Sequence, residues 1–592
     1  MDNKLAVCEN KIYMMAVKVI MITVKVIGII LMAYLFFLSI FSTSVRSVRN
    51  YGTAENPQWG RYTYFLPDSW LKHVLIVMIV IGALWLVGRR KTSGRGQKGN
   101  RFAPEVICGI YFLAVLLYVL NTQLLPKSDP AGLLRIAEEI LNQDFHEFEK
   151  EGYMYRYPYQ SGFVFLCMGA VKLFGTKAYL ALQAVNAAAL AVFFYLLGKL
   201  AALLWGYHKK QVSFFLVICM AGSLPLLMYA TFVYGNLPGM ALSVAAVYCG
   251  ELFLKERKKS SLICACVCIA MAIVLKSNCL IPFLAMLIIF IWDILKNKKK
   301  SSFLAVLCML GCYVLVNQAA VFTMEGITGY KLSEGMPKTA LIAMGLEESA
   351  AGPGTENGES NRIYEENNYD YKATDAAAKE KIFSRLGQYI KNPAAGISFF
   401  ARKQALQCNE PTFQAFSISE GRESAITIPG WLACIILGRG SLYLAEIMNV
   451  VHTLILFGVC VYIFTFNIKD RNLNELVFLI IFIGAFLFQL FYEAKSQYML
   501  IFFFMLLPYA FRGYQMSVSG LNKLRKRENQ VKIIDFIKNN AVKIGVTAVV
   551  VCMAVAAGAA TGLFAHTICL QSSGELLEEY EEVICTKENP NG

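Results

Sequence analysis

Long apolar runs alternate with short polar connectors along most of this 592-residue chain. A helix needs roughly 17–25 apolar residues to cross a bilayer. Runs of that kind predict spans near 18–41, 71–88, 104–124, 177–205, 211–231, 238–254, 260–275, 280–295, 302–322, 441–466, 474–493, 498–512 and 543–565. The pattern predicts an all-α polytopic membrane protein of about 13 transmembrane helices, because lipid offers no partner to backbone left outside a helix. The first run is too long for the apolar core of a secretory signal and lacks a small-residue cleavage site, so it is expected to stay as an anchor.

Two regions break the alternation. Residues 126–160 read PKSDPAGLLRIAEEILNQDFHEFEKEGYMYRYPYQ, a polar loop, and lead into the apolar stretch Ser161–Gly175. That stretch is short for a span, and letting it cross would put the following basic clusters on alternating sides. It is expected as an interfacial or re-entrant helix, with Ile428–Leu437 as a second segment of that kind. The other break is residues 323–426. Its middle, GPGTENGESNRIYEENNYDYKATD, is Gly/Asn-rich and predicts a loop or mobile lid. Ala373–Gln407 shows amphipathic helical spacing around Ile382, Leu386, Tyr389 and Ile390, ending near Asn392-Pro393.

Charge orients the threading. The net charge is +15, but the cations cluster in short connectors: Arg89–Lys91, His208–Lys210, Lys255–Lys259, Lys296–Lys300 and Arg512–Lys543. Such connectors remain cytoplasmic. This gives a multi-pass plasma-membrane protein with a cytoplasmic N-terminus and an external acidic tail, Glu575–Glu588, and no nucleic-acid partner. The basic stretch Gly513–Lys543 is expected to lie on anionic lipid. The resulting divisions are 1–101 (two helices and a basic cytoplasmic loop), 102–322 (a transmembrane core with the external loop 126–175), 323–440 (an external loop region), 441–512 (the rest of the core) and 513–592 (a basic segment, the last span and the tail).

Several function classes lose ground on motifs alone. The chain contains no P-loop and no soluble stretch large enough for a nucleotide-binding α/β domain, and its one GxGxxG, Gly94–Gly99, sits in a basic connector. This argues against a nucleotide-sugar transferase or an ATP-driven pump. A secondary transporter would carry ionisable groups near the bilayer midplane, whereas Lys199, Glu251, Asp293 and Glu446 fall towards span ends. No CxxC pair or HExxH occurs; Cys408, Cys569 and Cys585 are external by this threading, and their connectivity cannot be read. Polar density gathers on the external face, which suits an enzyme working there on a lipid-borne substrate.

Four stretches carry a resemblance: SDP…YRYPYQSGFVF…KLFG, YATFVYGNLPG, VLKSNCLI and YEAKSQYML. In order and sidedness, from roughly Phe102 to Arg512, they resemble the integral-membrane glycosyltransferases of the GT-C fold. The nearest likeness is to the family 39-like group of protein mannosyltransferases and aminoarabinose transferases, in bacterial form. The resemblance implies a sugar donor on polyprenyl phosphate and a glycan, lipid or protein acceptor, among membrane lipids. It also implies an acid of the first loop that activates the acceptor hydroxyl, and Asp129 matches its position. Asp129 before Pro130 equally suits a helix N-cap followed by a first-turn proline. Lys276 and Lys495 stand on the external side against the charge bias, as cations for a leaving phosphate or as headgroup anchors. Tyr498 closes the same turn as Lys495, and Arg156, Arg402 and Lys403 are weaker candidates. Relatives often carry an acid near Asn236; a neutral amide there leaves dependence on a divalent cation open. The alternatives are an envelope polysaccharide polymerase or ligase, and a lipid or solute transporter.

Overall fold

The computed structural model describes residues 2–50, 59–90, 103–349, 351–420, 422–469 and 471–525. The expected span 543–565, the acidic tail, Cys569, Cys585 and most of the basic segment 513–543 lie outside the described residues. Among the described residues, eight helices are long and apolar enough to cross a bilayer. They become nine if Ser496–Phe504 and Leu507–Asn522, bent by 54°, count as one span. The shorter apolar helices Trp70–Leu86 and Lys259–Leu275 stand beside them. The protein is a helical, multi-pass membrane protein.

Proline explains where the expected spans break. The run 211–231 folds as Lys209–Ala221 and then Leu224–Tyr229, with Pro225 in the first turn of the second piece. Pro508 sits likewise at the start of Leu507–Arg525. Neither proline has the N–H that would continue the preceding helix. Ser161–Phe174 is a separate helix, as expected. It ends at Gly175, whose φ of +54° suits glycine, before Ala178–Trp205 begins.

One expectation needs correcting. The segment read as a loop or lid contains a helix, Glu359–Glu366, which buries Ile363 and Tyr364. Glu359 holds it in place through ion pairs with Lys381 and Arg362, so local polarity was outweighed by two aromatic and aliphatic anchors. The helical architecture is as expected, and beside it lies one short antiparallel hairpin, Ser42–Asn50 paired with Trp59–Pro67. Its strands carry the β-branched and aromatic residues that fit a pleated surface. The hairpin docks on the helix Pro393–Cys408 through Ser44 N–H to Asn409 O (2.9 Å) and Asn409 Nδ2 to Ser42 O (2.8 Å).

Polar connectors sort to the two ends of the bundle. At one end Arg257 clasps Asp293 (2.9 and 3.0 Å), Asn474 reaches Glu251 (2.5 Å), Lys25 donates to Phe466 O (2.5 Å), and Lys296 bonds Asn472. The turns around residues 126–160, 230–236, 276–279, 335–358 and 491–496 meet one another elsewhere, through contacts described next. Segments that the charge pattern assigns to one face are therefore gathered in space.

Candidate functional site

Asp129 opens the helix Asp129–Leu141, but it is not the cap. Ser128 takes that place, at φ 57° and ψ −136°, with no side-chain capping bond, and Pro130 is the second helical residue. This corrects the capping alternative. A non-glycine residue in that conformation costs about 1–3 kcal/mol and persists only where its surroundings impose it. The Asp129 side chain is exposed, and among the described residues it accepts no hydrogen bond and forms no ion pair. Its charge still reaches the recess beside it. It helps hold the hydroxyls of Tyr153 and Tyr234 above the usual tyrosine range, behind the larger effect of burial.

A buried polar clamp sets that loop. Gln183 Nε2 donates to Leu124 O (2.8 Å) and Thr231 O (3.0 Å), while Asn186 Nδ2 donates to Ala230 O (3.1 Å) and Phe232 O (2.9 Å). Arg422 adds bonds to Leu125 O (2.8 Å), Leu124 O (2.8 Å), Thr231 O (2.7 Å) and Thr231 Oγ1 (3.0 Å). Gln183 and Arg422 thus tie the approach to Asp129 to the approach to Tyr234, and Asn186 braces the latter. The sequence reading passed over all three, although two amides in the otherwise apolar QAVNAAA stretch were a usable signal. Arg422→Ala would leave Leu125 O without its side-chain partner, at roughly 1–3 kcal/mol, and would leave Leu124 O and Thr231 O held by Gln183 alone. The variant should melt at a clearly lower temperature and lose activity with it, which thermal unfolding of the purified protein checks.

Lys276 follows the helix Lys259–Leu275. The turn before the helix Asn236–Glu256 packs against it at Gly235, where a Cβ would lie 2.0 Å from Leu275 O, so only glycine permits the approach. This brings Lys276 Nζ to 4.0 Å from the centre of the Tyr234 ring, within cation–π range, and 5.9 Å from that of Tyr498. Gln160 Nε2 donates to the Tyr234 hydroxyl and orients the ring. Among the described residues Lys276 has no carboxylate partner. Burial draws its ammonium down to about 8, against the opposing pull of Asp129 and Glu493.

The turn at 493–498 supplies the other wall. Lys495 Nζ lies 2.5 Å from Glu493 Oε1, and the Tyr498 hydroxyl donates to Glu493 Oε2 (2.8 Å). Glu493 is buried, with Lys495 offsetting its charge and the Tyr498 hydroxyl bonding its second oxygen. The loop 345–356 is pinned over this turn: Ala494 N–H bonds Gly354 O (2.7 Å), and the buried Lys403 donates to Gly345 O (2.5 Å). Glu356 is thereby brought within electrostatic reach of Glu493, Lys495 and Asp129, and the recess raises its carboxyl above the ordinary glutamate value, with Glu493 adding to the effect. Asp129, Lys276, Lys495 and Tyr498, far apart in sequence, share one recess. Glu493 and Glu356 belong to it and had not been singled out.

Two expected residues have other neighbours. Arg156 pairs with Glu365 (3.0 Å) and bonds Asn361 (3.2 Å), fastening the first loop to the helix Glu359–Glu366. Asn236 is buried at the start of its helix, and its Oδ1 has no partner among the described residues. Arg402 is engaged by Glu348, and Cys408 is a buried free thiol. The one set of potential metal-ligand atoms gathered within 4.8 Å among the described residues is Glu139, His146 and Glu147. Arg135 already pairs with both glutamates there, at 2.5 Å each.

No protein-family model and no curated protein matches the chain. Two solved structures of the oligosaccharyltransferase from Archaeoglobus fulgidus are similar in shape. One is AglB in complex with an inhibitory peptide and a dolichol-phosphate (14% identity, TM-score 0.39, covering 78% of this chain and 56% of that one). The other is the apo form (14% identity, TM-score 0.40, 80% and 56%). The chain thus spans a little over half the length of these proteins, and at this degree of likeness its function has to be argued from the site.

Proposed function

We propose that this protein is a GT-C-type membrane glycosyltransferase that moves a sugar from a polyprenyl-phosphate donor to an acceptor hydroxyl at the outer face of the membrane. The observation that carries the reading is the pairing, in one recess, of an unengaged carboxylate with a lysine that lacks a carboxylate partner and a second lysine beside it. A general base and a preformed phosphate site are what this displacement requires. Asp129 takes the proton as the acceptor oxygen attacks the anomeric carbon. The bond from that carbon to the phosphate oxygen breaks, and the departing phosphate keeps the electron pair. Lys276, and Lys495 beside it, offset the developing charge in a site that needs no rearrangement. Attack from the face opposite the leaving phosphate inverts the anomeric centre. Asp129 and Glu356 would be the oxygen donors for a hard divalent cation, and no step here needs one. Transfer by the purified full chain from a radiolabelled polyprenyl-phosphate sugar tests the reading; inert protein with every common donor would overturn it.

Two expected results follow from this geometry and threading. Lys276 is charged at neutral pH and loses its proton as the pH rises through about 8. Donor kcat/KM should therefore fall above about pH 8, and Lys276→Arg, charged throughout, should lack that alkaline limb. An identical limb in the Arg variant would assign it to another group. In a cysteine-poor background, an impermeant thiol reagent applied to intact cells should modify Asp144→Cys and spare Gly94→Cys. The reverse pattern would place the recess on the cytoplasmic side and sink the external reading.

A further inference from the structure

A second concave site lies on the other side of the Asp129–Leu141 helix. Ala131, Leu134, Arg135 and Glu138, spaced three and four apart, form one stripe of that helix. With Leu125, Pro126, Val171, Gly175, Thr176, Ala178 and Tyr179 they enclose a groove of about 470 Å³. That is within the roughly 300–1,000 Å³ typical of small-ligand sites. Its floor is apolar. The groove rests on the apolar cluster that holds Leu133, Ile136 and Ile140, and its lining includes none of Asp129, Lys276, Glu356, Glu493, Lys495 and Tyr498, so it is separate from the recess.

The rim is basic. Lys127, Lys172 and Lys177 each adjoin a lining residue, are exposed and form no ion pair among the described residues. Arg135 is occupied by Glu139 and Glu147, which leaves Glu138 as the one acid on the stripe. Four cations, Arg135 and the three lysines, against Glu138, Glu139 and Glu147 leave the rim net positive, and its three unpaired cations favour an anion. The corner that carries two of these lysines also exposes Leu173 (76%) and Phe174 (56%). On a multi-pass membrane protein, neighbouring apolar tips of this size belong in lipid, with the lysine stems reaching back to the headgroups.

We infer that this groove binds one anionic phospholipid: an acyl chain lies along Leu125, Leu134, Val171 and Tyr179, and Lys127, Lys172 and Lys177 hold the phosphate. The inference does not depend on the transfer reaction, because it uses none of the residues assigned to the recess.

The experiment is a native mass-spectrometric titration of the full chain in neutral detergent. The probes are phosphatidylglycerol, phosphatidylcholine with the same chains, and soluble glycerol phosphate. One phosphatidylglycerol should bind saturably and ahead of phosphatidylcholine, and glycerol phosphate should not displace it. At roughly five-fold per lysine, Lys172→Gln/Lys177→Gln should weaken that binding by about 25-fold. Leu134→Trp keeps the lysines but fills the groove and should abolish the bound lipid. It decides the matter by itself if the double variant does not fold. Equal binding of phosphatidylcholine would overturn the anionic preference. Displacement by glycerol phosphate would make this a site for free phosphate, and undiminished lipid on the Trp variant would place the lipid elsewhere.

Discussion

Asp129→Asn should cut turnover by roughly 10²–10⁴-fold, the usual worth of general-base help, while the protein remains folded. The structure sharpens this expectation. Because Ser128 is the cap and the Asp129 side chain makes no hydrogen bond, neither Asn nor Ala at 129 removes a structural contact. The loss is limited to the favourable meeting of a carboxylate with a helix N-terminus, about 0.3–1 kcal/mol. The measurement is single-turnover transfer with saturating donor, paired with thermal unfolding of the same preparation. A slow variant with wild-type stability assigns the base. Near-normal turnover would move that role to Glu356, the other exposed carboxylate in reach, whose raised protonation range also suits proton transfer.

Lys495→Ala should be nearly as severe, at roughly 10²–10³-fold in turnover for the loss of one preorganised charge, but it carries a confounding effect. The substitution leaves Glu493 buried without its counter-ion, and breaking a buried pair from one side is destabilising. Lys495→Ala should therefore melt early, and Lys495→Ala/Glu493→Gln should regain stability without regaining transfer. Lys495→Arg should keep part of the activity, since charge persists while geometry changes. If the stabilised double variant turned over normally, Lys495 would be a structural partner of Glu493, and Lys276 alone would face the phosphate.

The span pattern was legible because burying a helix in lipid demands a long apolar run, and such a run is visible one residue at a time. The breaks at Pro225 and Pro508 have an equally local cause, a missing N–H, but the expected spans 211–231 and 498–512 ran through both prolines unbroken. Asn392 was legible as well: it divides Tyr371–Lys391 from Pro393–Cys408, where its side chain accepts a bond from Ala395 N–H. The helix Glu359–Glu366 was not, because its stability comes from burying Ile363 and Tyr364 against distant partners and from an ion pair with Lys381. The hairpin at Ser42–Pro67 was likewise set by pairing with Asn409, far along the chain.

The recess divides in the same way. Asp129, Lys276 and Lys495 were identifiable from sequence alone, because an acid beside a membrane surface and lysines on the side of the membrane that usually lacks them are anomalies of position. Their role as a set was decided only by tertiary structure. The turn at Gly235 lets one loop touch Leu275, Gln183 with Asn186 and Arg422 tie two others together, and the 345–356 loop folds over Glu493. It was also packing that left Lys276 without a carboxylate partner and gave one to Lys495. Sequence determines which charges stand at the membrane surface, since each is carried by one residue; which of them remain free to act depends on the neighbours that the turns and the fold bring to each, from Glu493 two residues before Lys495 to Tyr234 and Tyr498 around Lys276.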